Sequence, residues 1–408
     1  FRLGRSTPRR AFRRRRSLAR RFADGMSSEP APPDLTPEDL ERRRALASQI
    51  ETYVRPYLAR NPRARRAVEA LFSEASSGAR SRDVSRFVAW DHLAFRSFDC
   101  VDGGLNAVAR VFEKHGYTRA GSLTFPKKKV DAEWFAPPSD RWALAARGDP
   151  AFPRLFVSHL RVDDLEDPDA KAVVRGMTLP SRRTARDSNI VAERGGAPWG
   201  ARRADATASF SRDAYETVAR ASEYAAWTLI NGHALNHVAV AVHRLFVASD
   251  DAKSTRRRFA SLEQCLSFLA APPVSTPTSR AGGAEVKVSP DGGLRQAATV
   301  ADLVEVQFAN ENEEKLLFGD EDARRDARDA NRALVPASYV EFVDRLPSRV
   351  FSATDRTSGI DVSVFDGYVP ERLRRDGFET RNADAIFEST FRAQTEHSAR
   401  EVTTGRPG

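Results

Sequence analysis

The sequence predicts an α+β fold in which two related β-rich halves, at about residues 85–165 and 225–346, form one cavity with helices at its flanks. The first half has the pattern of a strand, a helix and then several strands. The second half repeats that order of elements, although its residues differ. Because two such halves can share one sheet, we expect residues from both to face a common cavity.

A capping signal predicts where the first helix begins. Segment 36–39 combines a threonine that can cap the helix, a proline suited to its first turn, and two acids near the positive end of the helix dipole. An apolar stripe follows at Leu46, Ile50, Val54 and Leu58. A second helical pattern covers 68–75, and both helices are predicted to pack against the domain core.

In the first half, a strand is predicted from about Val88, where the apolar period changes to two. His92 and Arg96 fall on one face of this strand. A helix over 105–115 follows and ends at Gly116. Further strands are predicted at 121–125, 130–135 and 154–162.

Between the halves, residues 163–222 are polar and show little periodicity before a helical stretch at 213–227, which predicts an insertion or loop region. For the second half, the predicted elements are a strand at 232–242, a helix at 253–269, a hairpin over 285–308, an insertion or exposed helix at 310–333 and a strand at 338–343. The hairpin is predicted from the Pro-Asp-Gly-Gly turn at 290–293.

We expect residues 36–395 to form a single catalytic domain that ends in a C-terminal element at 366–395. Residues 1–35 are predicted to be a transit-peptide-like segment and linker, and residues 396–408 a disordered tail.

Positive charge is concentrated in residues 1–26, which hold ten of the 65 basic residues and one of the 56 acidic ones, leaving 55 of each elsewhere. An Arg-rich, Ser-containing segment almost free of acid is typical of organellar transit peptides. It predicts a plastid location, with the mitochondrion as the alternative. One alternative is a basic arm that binds RNA or anionic lipid. Another is that translation begins at Met26, which would remove this segment from the protein.

Composition excludes several classes of protein. No run of roughly 20 apolar residues is present, so an integral membrane protein is not expected. The two cysteines, Cys100 and Cys265, lie far apart and offer neither a disulfide framework nor a cysteine-rich zinc site. Glycine pairs lack phosphate-loop spacing, and no nucleic-acid partner is expected for the charge-balanced domain. The oligomeric state is not encoded in these patterns.

Two of the seven histidines are candidates for chemistry. His92 and His237 each lie mid-strand among apolar neighbours in the first strand of their half, so they could face one cavity. His233 shares the predicted face of His237, but its place at the strand's start favours the cavity rim. His115, His243 and His397 are predicted to be structural or exposed, and His159, in an apolar strand, to be a satisfied core histidine.

A carboxylate can complete a metal site with these imidazoles. Glu341 interrupts an otherwise apolar strand, and a buried acid needs a partner. Two imidazoles and one carboxylate on one side of a metal leave positions open for substrate and oxygen. Such donors do not select one metal, because manganese, cobalt, nickel and zinc all accept them. The alternative is a chance combination, because any chain offers several such sets.

Arg96 lies four residues after His92 on the same predicted face, roughly 13 Å along the strand. Its guanidinium could bind a substrate carboxylate through two nitrogens. The alternative is a salt bridge at the surface or at the cavity rim.

A family resemblance rests on five short stretches that occur in order. They are DHLAFRSF at 91–98, NGHALNHVAV at 231–240, GLRQAATVADLVEVQF at 293–308, SYVEFVDRL at 338–346 and RRDGFETRNADAIFEST at 374–390. These stretches resemble the 2-oxoadipate dioxygenase/decarboxylase family, also called hydroxyglutarate synthase, and the last two resemble its plant and algal branch especially. The resemblance implies a vicinal-oxygen-chelate-like fold over about residues 37–395.

The resemblance implies an Fe(II) enzyme in which His92, His237 and Glu341 bind the iron. It also implies that Arg96 anchors a substrate carboxylate and that Gln296 lines the pocket. The implied reaction converts 2-oxoadipate and O2 into 2-hydroxyglutarate and CO2, a step of lysine breakdown. The charged insertions depart from the family pattern, and so does the alanine pair at 297–298, where small hydroxyl residues are expected.

Two other functions stay open at this level. Another metalloenzyme of the same fold, glyoxalase-like or extradiol-type, could use the same three ligands. The second alternative, from a different functional class, is a noncatalytic plastid protein that keeps the fold in order to bind a partner. The complete ligand set together with Arg96 favours an enzyme, because a binding module does not need open metal positions.

Overall fold

The structure is a computed structural model that describes part of the chain. The described residues are 35–72, 89–100, 103–145, 149–178, 207–248, 255–272, 274, 286–309, 320–347 and 369–381. The predicted transit-peptide-like segment, apart from Leu35, and the predicted tail lie outside them. So do parts of both predicted insertions and most of the C-terminal element. Within the described ranges, no helix is both long and apolar enough to cross a membrane.

Two helices precede the sheet, α1 at Pro37–Arg60 and α2 at Pro62–Phe72. The predicted cap is confirmed, because Thr36 Oγ1 accepts a hydrogen bond from the Asp39 backbone N–H at 3.1 Å and the Asp39 carboxylate accepts one from the Thr36 N–H at 3.1 Å. The predicted stripe of α1 packs on the core, with Leu58 partly buried. Helix α2 begins earlier than predicted, since a proline suits a first turn.

The remaining elements follow in chain order. The strands are β1 (Trp90–Phe98), β2 (Thr118–Phe125), β3 (Val130–Ala136), β4 (Arg154–Leu160), β5 (Thr207–Ser211), β6 (Leu235–Ala241), β7 (Phe246–Ala248), β8 (Thr255–Arg257), β9 (Lys287–Val288), β10 (Leu294–Ala298), β11 (Leu303–Ala309), β12 (Arg332–Pro336) and β13 (Tyr339–Arg345). The helices are α3 (Leu105–Glu113), α4 (Pro168–Thr178), α5 (Arg212–Ala221), α6 (Glu223–Asn231), α7 (Leu262–Ala270) and α8 (Glu321–Ala330).

One eight-stranded sheet forms the centre of the fold, in the order β2-β3-β4-β1-β6-β13-β10-β9. In the first half β1 is parallel to β4, which is antiparallel to β3. In the second half β6 is parallel to β13, which is antiparallel to β10. The predicted echo in element order is therefore a repeat of sheet topology, and the antiparallel pair β1–β6 joins the two copies.

The two faces of the sheet have different neighbours. Leu93 and Phe95 of β1 point into a core that contains helices α1, α2, α3 and α7. His92, Ala94 and Arg96 alternate with them and lie on the opposite face. There Ala94 joins a second core, to which α4, α5 and α6 contribute. Polar residues on that second face are thus enclosed between the sheet and a layer of helices.

In the described part of 163–222, helix α4 and strand β5 lie where no element was predicted, and helix α5 coincides with the start of the helical stretch predicted at 213–227. These helices bury Val174 and Val218 against the sheet. A narrow apolar stripe in a polar sequence therefore suffices for packing. The predicted helix at 213–227 is two helices, because Ser222 ends α5 and caps α6 by accepting the Ala225 backbone N–H at 3.2 Å.

Several boundaries in the second half also differ from the predictions. The predicted helix at 253–269 is strand β8 followed by α7, which Ser261 caps. The predicted return strand of the hairpin is two strands in different sheets, since β10 pairs with β13 and β11 pairs with β12. Within 310–333 the described residues form α8 and the start of β12. Strand β6 begins at Leu235 because Gly232 turns the chain with a φ of 58°.

Phe95 is expected to contribute strongly to stability. Its buried ring lies 5.0 Å from the Tyr53 ring and 5.9 Å from the Phe112 ring. We expect Phe95→Ala to lower the free energy of unfolding by about 3–5 kcal/mol, measured by urea denaturation, because the lost contacts leave a cavity. Val288→Ala, at a side chain that is 49% exposed, serves as the control and should change it by less than about 0.5 kcal/mol. Equal effects of the two substitutions would contradict this role.

Candidate metal centre

Three neighbouring strands bring His92, His237 and Glu341 into one buried cluster. They lie on β1, β6 and β13, and Ala239 of β6 is in register with both His92 and Glu341. His92 Nε2 lies 3.1 Å from His237 Nε2. Glu341 Oε2 lies 3.1 Å from His237 Nε2 and 3.7 Å from His92 Nε2. The structure thus brings together the three residues that the sequence analysis selected.

An adjacent acceptor orients each imidazole. Asp91 Oδ1 accepts a hydrogen bond from His92 Nδ1 at 2.8 Å, and Asn236 Oδ1 accepts one from His237 Nδ1 at 3.0 Å. With the proton on Nδ1, each Nε2 turns its lone pair toward the cluster, as a metal ligand requires. The sequence analysis missed both acceptors. Their signal is the repeated pattern of an oxygen-bearing residue immediately before each candidate histidine.

Asp91 is part of a buried charge network. Arg345 binds it through two nitrogens, with Nε 2.6 Å from Oδ2 and Nη2 2.9 Å from Oδ1. Arg154 Nη1 lies 3.7 Å from Oδ2. Burial by itself raises the pKa of Asp91, but the Arg345 guanidinium outweighs this effect and holds the pKa well below its ordinary value. The carboxylate is therefore ionised at neutral pH and keeps the proton of His92 on Nδ1.

Glu341 is also held ionised. Burial raises its pKa, but interactions with the adjacent His237 and His92 imidazoles outweigh burial and lower the pKa to about 2. Gln296 Nε2 donates a short hydrogen bond to Glu341 Oε1, which leaves Oε2 facing the imidazoles. Gln296 is buried, and its Oε1 has no hydrogen-bond partner in the part of the chain described.

The donor set fits a divalent metal ion. Metal–nitrogen bonds are about 2.1 Å long, so two ligands at right angles lie roughly 3 Å apart. The nitrogen–nitrogen separation of 3.1 Å and the nitrogen–oxygen separation of 3.1 Å match this spacing. All three donors belong to one face of the sheet, and a second protein group holds each of them. The cluster can therefore hold a metal with positions open on its other side.

Arg96 is buried on the same face, with 4% of its side chain exposed. Its guanidinium carbon lies 4.8 Å from the centroid of the Tyr224 ring and 5.2 Å from that of Trp227. Its Nη1 lies 3.1 Å from Glu223 Oε1. Burial lowers the pKa of His237, and the charges of His92 and Arg96 add to this effect against the opposing influence of Glu341.

The described part of the predicted C-terminal element covers the cluster. The Phe378 ring lies 4.9 Å from the His92 ring, 4.9 Å from Phe156 and 5.8 Å from Trp134. An ion pair and a hydrogen bond to the backbone hold this segment in place. Arg154 Nη2 donates to Glu371 Oε1 at 3.1 Å, and Arg345 Nη1 donates to the Gly377 carbonyl at 2.7 Å. No periodic pattern in the sequence indicated this contact.

The other histidines lie outside the cluster. The prediction of a rim position for His233 is wrong, because this residue is fully buried in the turn before β6, with Nε2 3.3 Å from Ser97 Oγ. His243 is structural and buried, with Nε2 3.0 Å from Glu371 Oε2. His115 is partly exposed, in agreement with the prediction, whereas His159, predicted to be a core histidine, is also partly exposed because it lies beside Asp131, with Nε2 3.9 Å from Oδ2. His397 lies outside the described residues.

A family model described as 2-oxoadipate dioxygenase/decarboxylase matches residues 50–357. The chain belongs to the 2-oxoadipate dioxygenase/decarboxylase family. The predicted resemblance is thereby confirmed over most of the chain. The match also includes His92, His237 and Glu341 within its bounds.

Curated plant proteins of this family resemble the chain over most of its length. It is 34% identical to a 2-oxoadipate dioxygenase/decarboxylase named chloroplastic from Arabidopsis thaliana, over 86% of this chain and 78% of that protein. It is 33% identical to one named chloroplastic/amyloplastic from Oryza sativa subsp. japonica, over 96% of this chain and 89% of that protein.

A solved structure confirms the predicted fold class. Hydroxyglutarate synthase from Oryza sativa, crystallised in complex with 2-oxoadipate, superposes with a TM-score of 0.63 at 31% identity. The superposition covers 91% of this chain and 99% of that protein. The mixed α and β architecture, predicted to be vicinal-oxygen-chelate-like, is therefore that of a 2-oxoadipate dioxygenase/decarboxylase.

Removal of the Asp91 charge is expected to destabilise the protein. Asp91→Asn leaves Arg345 buried without its ionised partner, so we expect the free energy of unfolding to fall by about 3–5 kcal/mol in urea denaturation. The control is Glu38→Gln, which removes an exposed ion pair with Arg42 and should cost less than about 1 kcal/mol. A loss for Asp91→Asn no larger than that of the control would contradict the role of this network.

Acid sensitivity is expected from Glu371. Burial raises its pKa, but His243 and Arg154 outweigh burial and hold the pKa well below its ordinary value. The folded pKa is thus below the unfolded one, so the ionised carboxylate stabilises the fold above about pH 4.3, and this stabilisation is lost as the pH falls toward the folded pKa. We expect urea denaturation to show a free energy of unfolding that decreases from about pH 5 to pH 3. Glu371→Gln should flatten that decrease, and an unchanged slope would contradict the assignment.

Proposed function

We propose that the protein is an Fe(II)-dependent 2-oxoadipate dioxygenase/decarboxylase, which converts 2-oxoadipate and O2 into 2-hydroxyglutarate and CO2 in lysine breakdown. The observation that carries the proposal is the convergence of His92, His237 and Glu341 in a buried cluster of a chain from this family. The complex of the rice hydroxyglutarate synthase with 2-oxoadipate supports the choice of substrate.

His92, His237 and Glu341 would hold the iron. Two imidazoles and one carboxylate are the protein ligands of a large class of non-haem iron oxygenases, which favours Fe(II) over the other metals that such donors accept. When bound, Fe(II) would supply the redox chemistry that couples reduction of O2 to oxidation of the 2-oxo acid. Asp91 and Asn236 keep the two imidazoles in the tautomer that binds metal.

Arg96 would bind the distal carboxylate of the substrate. The residue lies two side-chain steps beyond His92 on the same strand face, roughly 13 Å along β1, and its long side chain reaches part of that distance. The Tyr224 and Trp227 rings flank the guanidinium and restrict its motion. Its charge in a nearly dry site favours a dicarboxylic substrate over one that ends in a methyl group.

Two further residues shape the proposed pocket. Gln296 donates to Glu341 through Nε2, so its Oε1 is the atom available to accept a hydrogen bond from water or from the hydroxyl of 2-hydroxyglutarate, because ionised 2-oxoadipate carries no donor. Phe378 covers His92 with an apolar surface that would exclude bulk water from one side of the cluster. Exclusion of water strengthens the electrostatic attraction between Arg96 and a bound carboxylate.

We also propose that residues 36–395 act as a single catalytic domain and that the protein is plastidial. The names of both plant relatives include a chloroplast location, which supports the second point. The Arg-rich composition of residues 1–26 agrees with it.

Oxygen uptake tests the proposed reaction. Protein purified without oxygen and loaded with Fe(II) should consume one O2 for each 2-oxoadipate and release CO2, with 2-hydroxyglutarate identified by mass spectrometry. His237→Ala removes one of three iron ligands, so we expect activity to fall by at least about 100-fold and bound iron to decrease.

The outcomes separate the possible functions. Iron bound without any O2 uptake on 2-oxoadipate would reject this reaction and favour another chemistry or a noncatalytic role. Turnover that persists undiminished in His237→Ala would reject the assigned ligands. His115→Ala, at a partly exposed residue outside the cluster, is the control and should retain activity.

A further inference from the structure

Arg96 already has an anionic partner in the structure. Nη1 lies 3.1 Å from Glu223 Oε1 and 3.3 Å from Glu223 Oε2, so a single nitrogen faces both carboxylate oxygens. We propose that Glu223 occupies the place of the substrate's distal carboxylate in the substrate-free protein and must yield it when a dicarboxylic acid binds. This inference rests on the proposed role of Arg96. It makes Glu223 an internal competitor that sets substrate affinity.

The surroundings of Arg96 show which partner is stationary. Tyr224 flanks the guanidinium and is itself anchored, since its hydroxyl lies 2.8 Å from Ser158 Oγ and accepts the Ser97 backbone N–H at 3.3 Å. Trp227, the second flanking ring, is anchored by a short hydrogen bond from Nε1 to the Ala337 carbonyl. The guanidinium is therefore held between two fixed rings.

The Glu223 side chain has room to rotate toward solvent, whereas the Arg96 side chain does not. Its side chain is 24% exposed, against 4% for Arg96. It lies in the first turn of α6, directly after the capping residue Ser222, with a route to solvent. A rotation of this side chain would move its charge into water at little cost, whereas Arg96 cannot leave its aromatic neighbours.

The geometry of the pair also favours exchange. One nitrogen facing two oxygens is weaker than two parallel hydrogen bonds between a guanidinium and a carboxylate. A substrate carboxylate that approaches Arg96 meets the negative charge of Glu223, and two carboxylates at one guanidinium repel each other. A buried guanidinium without an anion is unfavourable, which explains why the protein supplies one before substrate arrives.

A binding experiment on two matched ligands tests the inference. The Fe(II)-loaded protein is titrated calorimetrically without oxygen with 2-oxoadipate and with 2-oxohexanoate, which has the same chain length but ends in a methyl group. Glu223→Gln keeps the shape and the hydrogen-bonding oxygen but removes the competing charge. We expect its Kd for 2-oxoadipate to fall about tenfold, the scale of one charge-assisted hydrogen bond, while its Kd for 2-oxohexanoate stays within about twofold.

Two further variants complete the test. Glu223→Asp keeps the charge but shortens the side chain, so it should tighten 2-oxoadipate binding by a smaller factor and does not depend on how well the glutamine variant folds. Glu216→Gln removes a matched charge from helix α5, where Glu216 pairs with Arg212 at 2.7 Å, and should leave both dissociation constants unchanged.

The results separate this inference from the proposed function. Unchanged or weaker binding of 2-oxoadipate by Glu223→Gln, or equal changes for both ligands, would overturn the role of Glu223 as a competitor. Equal binding of the two ligands by the wild-type protein would instead reject Arg96 as the carboxylate anchor. In that case Arg96→Met would also leave the ratio of the two dissociation constants unaltered.

Discussion

The antiparallel pairing of β1 with β6 determines where the candidate metal ligands lie. It joins the two topological repeats and places His92 and His237 on the same face. His92 pairs with Ala239, which lies two residues beyond His237 on β6. The parallel pairing of β6 with β13 then brings Glu341 beside both histidines. Side chains alternate along a strand. A shift of one residue in either pairing would therefore turn one of the three candidate ligands to the opposite face, into the core that contains α1, α2, α3 and α7.

This arrangement requires charges to be buried, and the surrounding network stabilises them. Asp91 and Glu341 are carboxylates with little exposure, and each is ionised because guanidinium or imidazole groups bind it. Arg345 connects Asp91 to the C-terminal segment that carries Phe378. The same contacts that set the tautomer of His92 therefore also hold the apolar cover of the cluster, so the candidate metal ligands and their cover depend on one network.

The proposed recognition of the substrate's distal carboxylate depends on a different part of the chain. Helix α6 supplies both the rings that fix Arg96 and the carboxylate that neutralises it. His92 of the cluster and Arg96 lie on the same strand, but different parts of the fold hold them. Asp91 and its network orient His92, whereas helix α6 holds Arg96.

Local patterns were sufficient to predict the α+β class, the capped first helix, the candidates His92, His237, Glu341 and Arg96, and the family. These follow from periodicity, capping chemistry and short motifs, which are readable without knowing contacts. They did not predict helix α4, strand β5 or the two-sheet path of 294–308. The pairing of Asp91 with Arg345, the contact of Glu223 with Arg96 and the cover of Phe378 over His92 became visible only in three dimensions. Such contacts join residues more than 100 positions apart, and the energy of a buried ion pair or ring contact depends on a spatial neighbourhood that no local pattern encodes.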